Sequence, residues 1–505
     1  MNDLQDQHVL ILGLGASGLA MARWCSRCGA RVTVADTRAT PPQLAALQRD
    51  VPAARFVSGA FDAALVVDTD VQAVFKSPGL SPQDVAIVTE AARASGIRAA
   101  GELGLFSQAL ADLKATQGYA PQVLAITGTN GKTTVTVLTG QLVARVGKTV
   151  ALAGNIGPTL LDTLIKHLVA DTLPEVWVLE LSSFQLEGER TFEPSAAAVL
   201  NITQDHLDWH GSMAAYVAAK ANIFGATGLM ILNREDPQVM AMLPEPVRVK
   251  LQRPQLRAHV TFGADLPQRP GDFGLEQVNG MLWLVRALEA DETLKTRKGE
   301  VPELYLQRLM PADALRIRGR HNAVNALAAL ALAQAAGCAL GPMLYGLRDY
   351  RGEPHRVQPI GIFNEVEFFD DSKGTNVGAT VAALSGLGAE RKVIVILGGE
   401  GKGQDFAPLV DPVSRYARAV VLIGRDAPLL RVALQATHVP LLAAESMAQA
   451  VALANAQAHA GDAVLLSPAC ASFDMFDNYE HRARVFVAAV GELASAAGFE
   501  LGLAS

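Results

Sequence analysis

Cysteine is scarce, with four residues in 505: Cys25, Cys28, Cys338 and Cys470. So few thiols exclude a scaffold built on disulfides. Cys25 and Cys28 form a lone C-x-x-C without a second pair or a thioredoxin-like context. Buried free thiols are expected there, not zinc or redox chemistry. Charged residues are few, at 18% against 50% hydrophobic, which excludes a disordered chain. Positive charge is in deficit: 43 basic side chains face 50 acidic ones, for a net charge of -7. Nucleic acid is therefore not an expected partner. No apolar run is long enough to span a bilayer. The best candidate, Ala323 to Ala336, is broken by Asn325 and Gln334 and reads as a buried Ala/Leu helix. The start, Met1 to Asp6, lacks the basic-then-apolar order of a secretory leader. A cytoplasmic, monomeric enzyme is expected, and the length suggests about three domains.

What the chain does have is polar, glycine-rich turns placed directly after apolar runs. The central one is Gly128-Thr129-Asn130-Gly131-Lys132-Thr133-Thr134, between the apolar run Val123 to Ile126 and a helical segment. Strand, glycine-rich turn, Lys-Thr and helix is a way to grip a polyphosphate. Backbone N–H groups face the phosphates, the lysine adds a point charge, and the first hydroxyl reaches Mg2+. Ile126 stands where the general motif has its first glycine, so a chance Gly-Lys-Thr is the alternative.

The same logic recurs along the chain. His8 to Leu12 reads as a strand, followed by Gly13-Leu14-Gly15-Ala16-Ser17-Gly18, a helix over Leu19 to Cys28, and a strand Arg31 to Ala35 ending at Asp36-Thr37-Arg38. This is a βαβ unit with a dinucleotide fingerprint. Read alone it says NAD, but a nucleotide-sugar diphosphate satisfies the same groups. Val71 to Phe75 is another strand, and Lys76-Ser77-Pro78-Gly79 is either a ligand turn at the same edge or an ordinary loop. Val176 to Leu179 ends at Glu180, an acid placed to hold Mg2+. Ala197 to Ile202 runs into Asp205-His206-Leu207-Asp208, and Tyr216 and Lys220 share one face of a predicted helix. From Arg234 to Pro311 the pattern weakens. Pro237, Pro244, Pro246, Pro254, Pro267 and Pro270 predict irregular strands and loops, and the polar run Glu289 to Glu300 is expected to be exposed.

The last third repeats the strand-and-turn logic. Strands at Val366 to Phe369, Val393 to Leu397, Ala419 to Ile423 and Ala463 to Leu466 are predicted. The first, second and last run into Asp370 to Asn376, Gly398 to Gly403 and Ser467 to Asp474. The expected class is α/β with mostly parallel sheets in three domains. These are an N-terminal Rossmann-like domain (1–118), a central P-loop-type domain (119–351) and a C-terminal Rossmann-like domain (352–505).

Taken in order, these segments resemble the Mur ligase family over nearly the whole chain. The resemblance rests on Thr127 to Thr134, Gly154-Asn155-Ile156-Gly157, Glu180 to Gln185, Asp205 to Asp208, Tyr216 with Lys220, Gly319-Arg320-His321-Asn322, and His355-Arg356. Within the family, Asp371 to Asn376, Gly398 to Gly403 and Ser467 to Asp474 are similar to the branch that adds D-glutamate. Gly374 and Phe473 depart from that pattern, where alanine and leucine are expected. The weakly patterned stretch before Pro311 is also longer than the family usually has.

The resemblance implies an ATP-dependent ligase of peptidoglycan precursor synthesis. Its substrates would be UDP-N-acetylmuramoyl-L-alanine, D-glutamate and ATP. It implies that Ser17, Asp36, Thr37, Arg38, Ser77, Pro78, Gly79, Asn155 and His206 hold the UDP substrate. Gly128 to Thr134, Asn322, Asn325, Arg356 and Asp371 would hold ATP. Lys373, Thr375, Lys402, Ser472, Phe473 and Tyr479 would surround D-glutamate. It assigns Lys132, Glu180, His206 and Lys220 to catalysis. It places two Mg2+ ions on Thr133, Glu180, His206 and a carbamylated Lys220, although sequence physics alone reads Lys220 as a surface lysine. Three other readings stand beside it. An NAD-dependent dehydrogenase leaves the phosphate loop unexplained. A non-catalytic nucleotide-sugar module leaves Lys132, Glu180, His206 and Lys220 unexplained. A folylpolyglutamate synthetase would not carry the N-terminal UDP-type domain.

Overall fold

The computed structural model describes residues 2–247, 255–290 and 303–499. Residues 291–300 of the polar run, and Pro254, lie outside the described residues. The chain divides into two compact units. The first comprises Met1–Ile202, His206–Phe262 and Ala328–Gly346, and the second comprises Thr203–Asp205, Gly263–Leu327 and Leu347–Ser505.

The first unit contains two sheets. One holds β1 (His8–Leu12), β2 (Arg31–Asp36), β3 (Arg55–Ser58), β4 (Val71–Lys76) and β5 (Arg98–Gly101), all parallel, in the order β3-β2-β1-β4-β5. The other holds β6 (Gln122–Thr127), β7 (Val150–Gly154), β8 (Val176–Glu180), β9 (Ala196–Val199), β10 (Leu229–Asn233) and β11 (His259–Phe262). It too is parallel, in the order β11-β10-β9-β6-β8-β7. Both sheets reverse strand order at their first strand, and ligands bind at such a switch point. The runs are apolar because both faces of each sheet are covered. The helix Leu160–Ala170 packs on the helices Ala16–Arg27 and Glu102–Gln117 and joins the two layers. One hydrophobic cluster runs through all of them and includes Trp24, Phe106, Leu161 and Trp177. Phe106 and Trp177 meet edge-on at 5.1 Å. Burying each such side chain stabilises the unit by about 1.5–3 kcal/mol.

The second unit begins with β12 (Phe273–Val278), β13 (Met281–Glu289) and β14 (Leu304–Pro311), an antiparallel meander with one bulge at Leu284/Val285. This corrects the expectation of irregular strands and loops over 234–311. The prolines that prompted it, Pro237 to Pro270, all precede the meander, so they break no ladder within it. The remaining strands are β15 (Gln358–Phe363), β16 (Val366–Asp370), β17 (Val393–Gly398), β18 (Ala417–Ile423), β19 (Leu441–Ala443) and β20 (Ala463–Leu466). Their order is β15-β16-β20-β17-β18-β19, parallel except for the edge strand β15. All four cysteines are buried and free, and burial raises the thiol of Cys470 to about 12. No described helix is long and apolar enough to cross a membrane.

Candidate active site

In the first unit, β6 ends at Thr127 and the helix Lys132–Arg145 starts five residues later. Gly128 and Gly131 bend the turn between them with φ of 156° and 83°, a region that glycine enters without strain. A Cβ on Gly128 would also meet the Cβ of Leu200 at 3.0 Å. Asn201 locks the turn from the end of the neighbouring strand. Its side chain accepts from Asn130 N at 2.8 Å and donates to Asn130 O at 3.1 Å, and its carbonyl accepts from Thr129 N at 2.9 Å. Sequence reasoning missed Asn201, and its only signal is a polar residue straight after an apolar strand. The expected strand through Ile202 stops at Val199, which frees Asn201 for this task.

Two lysines meet on this turn. Lys132 Nζ donates to Gly128 O at 2.9 Å and to Thr129 O at 2.8 Å. Lys220 Nζ donates to the same Gly128 O at 2.9 Å and to Thr127 Oγ1 at 3.2 Å. Lys220 is buried and lies 4.8 Å over the ring of Tyr216, four residues earlier on the helix Met213–Ala221. Tyr216 in turn pairs with the hydroxyl of Thr129 at 3.0 Å. The plain reading of Lys220 as a surface lysine is therefore corrected.

Glu180, the last residue of β8, is buried, and its Oε1 accepts from Asn155 Nδ2 at 2.8 Å. Its Oε2 is buried without a hydrogen-bond partner. An orphaned anionic oxygen in the same sheet as a phosphate turn fits a hard cation, with the Thr133 hydroxyl in the first helical turn as a further donor. Among the described residues no cluster of three or more His, Cys, Asp or Glu could hold a metal ion. Mg2+ takes one or two carboxylates and completes its shell with water and phosphate, so Glu180 and Thr133 would be its protein ligands here. His206 adopts φ 53°, uncommon for a non-glycine residue, and precedes the short helix Leu207–His210. Its ring meets Phe184 at 4.7 Å.

At the tips of β1, β2 and β4 the UDP-site candidates organise one another. Asp36 accepts from Leu14 N, Arg38 N and the Arg38 guanidinium, at 2.7–2.9 Å. The Arg38 hydrogen bonds lead in lowering its pKa to about 2. This carboxylate is thus filled by its own loop, while Arg38 and Thr37 remain exposed. Ser77 donates to Gly13 O at 2.8 Å, and the exposed Gly79 follows Pro78. Ser17 lies near Glu102, a buried carboxyl that accepts from Leu161 N at 3.0 Å and that burial raises to about 7.

In the second unit, Asn322 and Asn325 pair at 3.2 Å on the first turns of the helix Arg320–Ala335. Asp371 accepts from Ser467 Oγ at 2.6 Å and from Val357 N at 3.2 Å. Burial raises its carboxyl to about 7, against the nearby Arg356 charge, which lowers it. Lys373 Nζ lies 5.2 Å over Tyr479, and Lys402 Nζ lies 5.8 Å over Phe473. The loops bearing them are stitched together. Glu400 and Ala471 exchange both backbone hydrogen bonds at 2.9 Å, and Thr375 N donates to Lys373 O. Ser472 Oγ is buried without a partner, a hydroxyl free to meet a ligand. Arg482, which sequence reasoning passed over, is fully buried. It donates to Ser372 Oγ, Ser372 O and Cys470 O at 2.8–3.0 Å, and burial lowers it to about 10. Its sequence signal is a lone charge among the buried positions of an amphipathic helix.

Three family models match along the chain: a Mur ligase MurD-like N-terminal domain over 7–101, a Mur ligase middle domain over 126–333 and a Mur ligase glutamate ligase domain over 355–470. The chain is 91% identical to a UDP-N-acetylmuramoylalanine–D-glutamate ligase of Albidiferax ferrireducens, covering 99% of this chain and 98% of that protein. It is 61% identical to the protein of the same name from a Polaromonas species, covering 99% and 100%. Among solved structures it is similar to a Thermotoga maritima MurF ligase in complex with ADP, with a TM-score of 0.56 at 15% identity, over 97% of this chain and 96% of that one. A UDP-N-acetylmuramate-alanine ligase from Thermotoga maritima gives a TM-score of 0.53 at 19% identity, over 96% and 99%.

Proposed function

The chain belongs to the Mur ligase family, and from that premise we infer that it is the ATP-dependent ligase joining D-glutamate to UDP-N-acetylmuramoyl-L-alanine in peptidoglycan precursor synthesis. The end-to-end likeness to the Albidiferax ligase carries this reading. The division of labour is 1–118 for the UDP substrate, 119–351 for ATP and 352–505 for D-glutamate and closure. The protein acts as a cytoplasmic monomer.

A carboxylate is a poor electrophile, so the alanyl carboxylate oxygen first attacks the γ-phosphorus of ATP, and ADP leaves. Anions must approach each other in this step. Within the turn Gly128 to Thr134, Lys132 and the amides that open the helix, Lys132 to Thr134, hold the phosphates and offset the repulsion. Thr133 and Glu180 would hold Mg2+, which would supply positive charge to offset the negative charge of the transferred phosphoryl group. Asn155 orients Glu180 and, with His206, faces the muramoyl-alanyl end of the substrate. Ser17, Asp36, Thr37, Arg38 and the Ser77-Pro78-Gly79 turn hold UDP. Asn322, Asn325, Arg356 and Asp371 hold the adenosine. The amine of D-glutamate then attacks the acyl carbon, loses a proton, and phosphate departs. Lys373, Thr375, Lys402, Ser472, the N–H of Phe473 and Tyr479 hold its two carboxylates.

Lys220 takes CO2 on its neutral amine. An N–C bond forms, a proton is released, and the cation becomes an anionic carbamate. One N–H remains to donate to Gly128 O or Thr127 Oγ1. The carbamate and His206 would hold a second Mg2+, which would add further positive charge beside the phosphoryl group. Burial of Lys220 supports this, because burial favours the uncharged amine that the addition requires.

The test is phosphate release from ATP and UDP-N-acetylmuramoyl-L-alanine across a panel of D- and L-amino acids. Turnover is expected with D-glutamate alone. Equal turnover with L-glutamate, or none with the D-isomer, overturns the assignment.

A further inference from the structure

Lys76 closes β4 and immediately precedes the Ser77-Pro78-Gly79 turn. Its ammonium reaches away from that turn. Nζ donates to Glu187 Oε2 at 3.1 Å and sits 5.6 Å from the centroid of the Trp209 ring. The two contacts lie on different short helices. Glu187 caps the C-terminus of Ser183–Leu186, and Trp209 belongs to Leu207–His210. Phe184, on the first helix, packs on Trp209 at 4.6 Å and on His206 at 4.7 Å. A hydrogen bond of 2.9 Å between Ser183 Oγ and His210 Nε2 ties the two helices to each other. Together they make the wall against which His206 rests.

This wall has little behind it. Lys76, Phe184, Gln185 and Glu187 line a cavity of about 410 Å³. The indole N–H of Trp209 is buried and donates to nothing among the described residues, so its ring is held by its faces. Close packing does not fix the wall from the cavity side. The ion pair and the cation–π contact of Lys76 do, and both are only partly exposed to water, with the Lys76 side chain 17% accessible.

We propose that Lys76 is a positioning residue that braces the Phe184–Trp209 wall, and with it His206, against the strand end that carries the UDP-substrate turn. Substrate seated on Ser77 to Gly79 thereby meets a histidine already in place. The proposal rests on the assignment of Ser77 to Gly79 and His206 to the UDP substrate.

Steady-state phosphate release with the full chain tests it. Lys76→Met keeps the stem and removes the charge. It is expected to lower kcat/KM for UDP-N-acetylmuramoyl-L-alanine at least fivefold, with KM for ATP within twofold of the parent. Lys76→Arg should restore kcat/KM to within twofold. Trp209→Leu should show the same split, and the double variant should be no worse than the poorer single one, because both remove one brace. Should Lys76→Met not accumulate, Glu187→Gln carries the same expectation. Parental kcat/KM in Lys76→Met, an equal rise in KM for ATP, or multiplying losses in the double variant overturns the brace. Absence of turnover in the unsubstituted chain would instead overturn the substrate assignment beneath it.

Discussion

Lys132 and Lys220 in the first unit, and Lys373 and Lys402 in the second, are one side chain held in two ways. The first pair donates to backbone carbonyls at 2.8–2.9 Å, inside a turn locked by Asn201. The second pair rests on aromatic faces, at 5.2 and 5.8 Å from ring centroids, and Lys402 is exposed. Hydrogen bonds to carbonyls are directional, whereas a ring face lets an ammonium slide. On the proposed assignment, phosphate would meet a lysine whose place is fixed, Lys132, and D-glutamate a lysine that adjusts, Lys402.

The comparison breaks hardest at the phosphate turn. Lys132→Ala is expected to lower kcat about 10²–10³-fold, the range for losing a fixed transition-state donor. Phosphate-release kinetics check this, and a loss below tenfold would show that the backbone amides suffice. Lys220→Ala should abolish nearly all turnover while calorimetry still records UDP-substrate binding. A small added carboxylate should restore part of that activity but none of the Lys132→Ala loss. An active Lys220→Ala enzyme removes the carbamate from the mechanism.

At the second pair the expected effect is on affinity. Lys402→Ala and Ser472→Ala should raise KM for D-glutamate about tenfold or more, since a charge-assisted hydrogen bond is worth roughly 1.5–3 kcal/mol. KM for ATP should stay within twofold. If ATP affinity falls instead, these residues serve the nucleotide.

The remaining effect is on stability, not turnover, and concerns buried acids. Burial raises Glu102 from an ordinary 4.5 to about 7. The folded protein therefore holds a proton that the unfolded chain releases, so stability falls as pH rises from about 4.5 to about 7. Glu102→Gln removes that dependence. Thermal melts should show the variant gaining on the parent over this window, by up to about 3 kcal/mol above it. Asp36 behaves oppositely. Lowered to about 2 by Arg38, it stabilises the fold above about pH 4, and that contribution fades as pH falls toward 2.

Most of the parallel architecture was legible because each buried strand is an unbroken apolar run ending in a polar turn. Val176 to Glu180 and Ala463 to Leu466 are examples. The site turns were legible for the same reason, since a parallel sheet presents the residues after its strands to one edge. What escaped depends on partners distant in sequence. Lys76 and Glu187 are 111 residues apart, and Asn201 is 71 residues from Asn130. Arg482 reads as a surface charge until Ser372 and Cys470 surround it. The meander β12 to β14 escaped because its faces are only partly buried, which weakens the alternation of apolar residues that marks a strand.

The carbonyl of Gly128 carries a consequence for nucleotide entry. Lys132 and Lys220 both donate to it. Under the proposed ATP assignment, a phosphate arriving at the turn would have to win Lys132 away from this oxygen, so binding would be an exchange of acceptors and not a simple addition. The amide dipole of Gly128 would act as an internal competitor for the Lys132 ammonium. It favours incoming groups rich enough in negative charge to outbid a neutral oxygen, such as a triphosphate, over a monophosphate of the same nucleoside.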